Sequence, residues 1–234
     1  MAKKILQVPE LMVGFDTETT GLDVTCERAI SYGFCEYRFG SLVRSDHYFV
    51  IPDRPIAPAA RRVHGLSAQD IEARRGSDLV LSVTAGLMRA IEILRNYHEL
   101  GAHFIGANIV RFDLEMLRRS AQSVLGDPLN SRAFDLSLLR TIDVIEHDLV
   151  IDPSRELRPR RGLEYLCSFY GVVPGRHDAL GDARATVEVF IEQVIRNNAG
   201  QMALELVAPA EEIIDTVRPV DNSSYSERAN PREW

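Results

Sequence analysis

The sequence predicts an α/β fold, a mixed five-stranded sheet flanked by helices, on three observations. Strand-like stretches come first and then alternate with stretches of helical period, an order that packs helices onto the faces of one sheet. Of the 234 residues, 45% are hydrophobic, enough for one sizeable core. The apolar run from Leu11 closes on Asp16, as a central strand does when its end faces a site.

Leu11 to Asp16 is the first strand. Ala29 to Phe39 is the second, rich in β-formers such as Ile30, Tyr32, Phe34 and Tyr37. His47 to Ile51 is the third, stopped by Pro52, and the three form an antiparallel meander. Pro52, Pro55 and Pro58 mark an extended connection. Over 77 to 98, Val80, Val83, Leu87, Ala90, Ile91 and Leu94 recur at helical spacing and give the clearest helix. Phe104 to Ala107 reads as a short buried strand, and a helix starts at Asp113 and runs to Ser120. Another strand-like piece surrounds Phe134, Asp135 and Leu136. Residues 153–161 hold two prolines and Arg155, Arg158, Arg160 and Arg161 and read as a basic loop. A helix over 162–169 ends at Gly171. The last strong helix runs from 179 to about 196, with Ala179, Ala183, Val187, Phe190 and Val194 on one stripe. The expected division is a domain over 8–198 and a polar C-terminal appendage over 199–234, partly helical over 201–217 and then mobile.

The net charge of −7 argues against a general duplex binder, which carries a basic footprint. It leaves room for a nucleic-acid enzyme whose clustered carboxylates are offset by bound cations. Cys26, Cys35 and Cys167 lack metal-type CxxC spacing and read as reduced thiols. After Lys3-Lys4 the apolar stretch is broken by Gln7, Pro9 and Glu10, too short for a signal-peptide core. No run approaches the roughly 18 apolar residues of a membrane span. The expectation is a cytoplasmic protein with no membrane partner.

Four carboxylates and a histidine stand in three separated pieces. Asp16 and Glu18 are two apart, so on a strand they project from one face while Thr17 turns to the other. Acids are depleted in central strands, and a divalent metal is the natural partner for such a pair; a solvated strand end would produce the same pattern. Asp113 follows Phe112 at a helix start, where a carboxylate is favoured either as a cap or as a ligand. Asp182 lies one turn inside the last helix, beside the buried stripe. His177 sits in the loop before it, and its near-neutral pKa suits it to take a proton from water. Such a hard-oxygen set suits Mg²⁺ or Mn²⁺, and two such ions about 3.5–4 Å apart can cleave a phosphodiester.

Phe15 to Leu22 (Phe-Asp-Thr-Glu-Thr-Thr-Gly-Leu), Phe112-Asp113, and His177 five residues before Asp182 resemble the three motifs of the DEDDh (DnaQ-like) 3′–5′ exonucleases. That family includes the proofreading epsilon subunit of DNA polymerase III, ribonuclease T and oligoribonuclease. Val63-His64-Gly65-Leu66 is similar to the family's segment near the substrate cleft, and the resemblance covers about residues 10–197. It implies a ribonuclease-H-like fold, with two Mg²⁺ held by Asp16, Glu18, Asp113 and Asp182, Mn²⁺ as substitute, and His177 as general base. Thr17, Thr19, Leu22, His64 and Phe112 would contact the terminal nucleotide. One departure stands out: Asn108 to Asp113 carries one residue more than the family's Asn-x-x-Phe-Asp, which leaves the role of Asn108 open and predicts a bulged loop.

The expected substrate is single-stranded or 3′-terminal nucleic acid, with DNA ahead of RNA. The basic loop and Arg176 are candidates to contact its phosphates. An inactive nucleic-acid-binding module is the reading from another class. The appendage is a candidate tether to a polymerase or another protein.

Overall fold

The computed structural model describes residues 5–126, 135–152 and 162–205, the last six by backbone alone. Six strands form one sheet: β1 (Leu11–Thr19), β2 (Ala29–Arg38), β3 (Ser41–Val50), β4 (Val80–Leu81), β5 (His103–Gly106) and β6 (Arg140–Asp143). Their spatial order is β4-β3-β2-β1-β5-β6. β1, β2 and β3 pair antiparallel, as expected of a meander. β5 lies parallel to β1, β6 parallel to β5 and β4 parallel to β3, so the sheet is mixed.

Seven helices are described: α1 (Pro58–His64), α2 (Ala68–Ala73), α3 (Val83–Glu99), α4 (Asp113–Leu125), α5 (Val144–Ile151), α6 (Leu163–Tyr170) and α7 (Ala179–Glu205). Along β1 the side chains alternate between faces. Leu11, Val13 and Phe15 join a core completed by Leu87, Leu94, Leu114 and Leu117 of α3 and α4. Met12 joins the opposite core with Leu166, Val187 and Phe190 of α6 and α7. Gly14 and Gly33 let α7 approach: a Cβ at either would lie 2.1 or 2.2 Å from the carbonyl oxygen of Ala183 or Ala179. That close approach carries the start of α7 over the end of β1.

Several expectations are corrected in detail. The sheet has six strands, not five, because Val80–Leu81 pairs with Phe49 and Val50. The helix expected from 77 starts at Val83 instead, where Ser82 accepts the Ala85 N–H. β3 starts at Ser41, earlier than its apolar half, because its exposed first half still pairs with β2. The proline-marked connection is not wholly extended. Pro58 opens α1, where a missing N–H costs nothing, and Ser67 with Asp70 forms a capping box for α2. The piece expected as strand at 134–136 becomes a 3₁₀ turn over Leu136–Leu138, with the Asp135 carboxylate accepting the Ser137 N–H. The strand follows at Arg140. α7 passes 196, the expected end of the last helix, and runs to Glu205. The basic loop 153–161 and the appendage from 206 onward lie outside the described residues. Among the described residues no helix is long and apolar enough to cross a membrane.

Candidate active site

Asp16 and Glu18 project from the α7 face of β1, and Asp182 in the first turn of α7 faces them. One carboxylate oxygen from each can be chosen so that all three lie within 4.8 Å of one another. Asp113, the first residue of α4, is buried and arrives from the other face of the sheet. There it accepts a hydrogen bond of 2.6 Å from the Thr17 hydroxyl. Thr17 therefore does turn to the opposite face from Asp16 and Glu18, and what it meets there is the fourth acid.

The acids repel one another in a desolvated setting. Burial, then Asp113, Glu18 and Asp182, holds Asp16 well above the usual carboxylate range. Glu18 is pushed up to about 9 by burial and by Asp182 and Asp113. Burial raises Asp113 to about 7 against the Thr17 hydroxyl and backbone N–H groups that favour its anion. Asp182 is raised to about 6 by burial, offset by His177. So much uncompensated acidity around hard oxygen donors fits a divalent cation.

His177 lies at the rim, and its Nε2 stands 3.5 Å from Glu164 Oε1. Its backbone N–H donates to Asp182 Oδ2 at 3.1 Å, so base candidate and acid belong to one local unit. His64 is held at both nitrogens: Nδ1 accepts the Leu66 N–H at 3.0 Å, which leaves Nε2–H to donate to the Thr19 carbonyl at 3.2 Å. Burial holds His64 below its ordinary pKa, consistent with a neutral ring. The Thr19 hydroxyl donates to the Gly21 carbonyl at 2.7 Å. Of the five residues expected to touch a nucleotide, Thr17, Thr19 and His64 thus spend their polar side-chain groups inside the protein. Leu22 is exposed at the end of the first motif, and Phe112 is half-buried immediately before α4.

The additional residue before Asp113 is absorbed by a wide turn. Asn108 takes a positive φ of 57°, its carbonyl accepts the Phe112 N–H at 2.9 Å, and Ile109 accepts the Leu114 N–H at 2.9 Å. Asn108 contributes through its backbone, whose N–H reaches the Asp143 carboxylate. Asp143 was not singled out by the motifs. It caps α5 through the Ile145 and Glu146 N–H groups and adds negative charge beside Asp113. Asp178, next to His177, likewise raises Asp16, Glu18 and Asp182. The Asp143-x-x-Glu146 spacing, a capping pattern after an apolar residue, was the available signal for the first; nothing in the sequence distinguished the second.

The family model described as Exonuclease (RNase_T) matches residues 13–190. The chain belongs to that DnaQ-like exonuclease family. Among curated proteins, the DNA polymerase III PolC-type of Thermotoga maritima is 25% identical over 191 residues, covering 78% of this chain and 12% of that protein. The DNA polymerase III subunit epsilon-like protein of Rhodobacter capsulatus is 28% identical over 194 residues, 76% of this chain and 23% of that protein. The exonuclease chain thus spans less than a quarter of either relative. Escherichia coli exonuclease I, solved with a 5cy-dT13 oligonucleotide, shares the fold with a TM-score of 0.61 at 20% identity, over 85% of this chain and 43% of that one. Exonuclease I of Methylocaldum szegediense does so with a TM-score of 0.61 at 22% identity, over 84% and 43%.

Proposed function

We propose that the exonuclease acts from the 3′ end with divalent metal ions, two Mg²⁺ or Mn²⁺, and releases nucleoside 5′-monophosphates from single-stranded DNA. The observation that carries this reading is the convergence of Asp16, Glu18 and Asp182, with Asp113 held behind them by Thr17. Asp16, Glu18, Asp182 and Asp113 are the residues that would hold the ions. Cations bound there supply charge withdrawal from the phosphate and a more acidic water.

The chain's own groups do the rest. His177, at the rim and anchored to Asp182 through its backbone, takes a proton from the attacking water. Thr17 fixes the Asp113 carboxylate, and His64 fixes the Thr19 carbonyl and so the backbone on which Leu22 is presented. Leu22 and Phe112 offer apolar surface to the terminal base.

DNA as substrate is supported by relatives named for DNA polymerase III and by the oligonucleotide bound to exonuclease I. The polymerase names also support a tethering role for the appendage 199–234 beyond a nuclease domain over 8–198. Three free cysteines fit a reducing, cytoplasmic setting. The test is release of mononucleotide from 3′-labelled single-stranded DNA and RNA, with Mg²⁺ and then with EDTA. Metal-dependent release, faster on DNA, is expected. Metal-independent release, or none from either polymer, would overturn the enzyme reading, and faster release from RNA would reassign the substrate.

A further inference from the structure

The loop that carries His177 is folded onto the metal-ligand candidate Asp182 by backbone alone. Arg176 and His177 both take positive φ, 60° and 59°, a conformation that residues with a side chain adopt only when their surroundings impose it. What imposes it is the Asp182 carboxylate, which accepts the His177 N–H at 3.1 Å and the Gly175 N–H as well. The Asp182 N–H returns a bond of 2.8 Å to the Asp178 carbonyl, and Asp178 Oδ2 accepts the Gly181 N–H at 3.0 Å. Loop and first helical turn are therefore knitted in both directions.

This seating needs a bare α-carbon at 175. A Cβ on Gly175 would lie 2.1 Å from the Asp182 nitrogen, 2.2 Å from the Gly181 carbonyl carbon and 2.5 Å from Asp182 Oδ1. Two of those atoms are backbone in a buried-side helix start, so the loop, not the helix, must give way.

We propose that Gly175 is a positioning residue of the nuclease centre: its missing side chain lets one loop set the Asp182 carboxylate and the His177 imidazole together. This rests on Asp182 as a ligand and His177 as the base. The two N–H groups hold a carboxylate of which an oxygen lies within 4.8 Å of oxygens of Asp16 and Glu18. Lifting the loop would turn that carboxylate and withdraw the base in one motion.

The test uses the full chain and Mn²⁺, with free Mn²⁺ counted by electron paramagnetic resonance, beside single-turnover cleavage of single-stranded DNA. Gly175→Ala, shown folded by circular dichroism, should lose roughly 10- to 100-fold in both Mn²⁺ affinity and rate. His177→Ala keeps its N–H, so it should lose rate while binding Mn²⁺ as the natural chain does. A folded Gly175→Ala with natural Mn²⁺ affinity and natural rate overturns the proposal. Should Gly175→Ala not fold, amide exchange in the natural chain decides: the Gly175 and His177 N–H groups should be protected, and should lose at least roughly tenfold of that protection in Asp182→Ala. Unprotected amides in the natural chain overturn the proposal equally. If Asp182→Ala binds Mn²⁺ normally, it is the reading of the centre itself that fails.

Discussion

Replacing Glu18 by glutamine should make the metal-free protein more stable while weakening its response to metal. Glu18 is 8% exposed, and burial together with Asp182 and Asp113 pushes its carboxyl up to about 9, against an ordinary value of 4.5 in the unfolded chain. Between those values the folded state binds more protons than the unfolded one, so stability is full below pH 4.5 and falls as pH rises. By pH 7 the accumulated difference is roughly 3 kcal/mol, counting about 1.4 kcal/mol per pH unit. Glutamine carries no charge in either state and removes that penalty. Thermal unfolding in EDTA should place Glu18→Gln roughly 5–10 °C above the natural chain at pH 7. The two should converge near pH 4.5, and Mn²⁺ should raise the melting temperature of the natural chain much more than that of the variant. Equal melting at pH 7 in EDTA, or a gap that widens toward acid, would mean that Glu18 is not held protonated by its buried acidic neighbours.

Thr17→Val leaves the buried Asp113 carboxylate without its 2.6 Å donor and should cost about 2 kcal/mol in urea unfolding. It should slow cleavage as well, since Asp113 is then held by backbone N–H groups alone. Gly33→Ala would put a methyl 2.2 Å from the Ala179 carbonyl oxygen and push the start of α7, with Asp182, off the sheet. Loss of about 3 kcal/mol or failure to accumulate as soluble protein is expected, with expression level and melting temperature as the readouts.

The parts of the site most legible in the sequence were those fixed by local geometry. Two acids two apart on an apolar strand had to share a face, and Thr17 had to take the other. A carboxylate at the head of the Leu114–Leu117 stripe marked a helix start. The three-motif resemblance then brought together what periodicity could not. Less legible was anything decided by a partner distant in sequence. β4 has two residues and exists because Phe49 and Val50 offer an edge. α1 and α2 are hidden because a run of prolines marks extended chain as readily as a helix start, although Pro58 sits where a helix tolerates proline and Ser67-x-x-Asp70 is a readable cap. The internal use of His64 is invisible in the sequence, because its bond to the Thr19 carbonyl depends on how α1 folds back against β1.

If the acid cluster does the chemistry, Asp16→Ala removes it at its root. Asp16 stands in the cluster with Glu18 and Asp182, and it lies on a strand whose core residues the change leaves intact. With 5′-labelled single-stranded DNA and Mg²⁺, the natural chain should shorten the strand stepwise from its 3′ end. Asp16→Ala, equally folded, should do so slower by roughly a hundredfold or more. A folded Asp16→Ala that shortens the strand at near the natural rate would contradict the account.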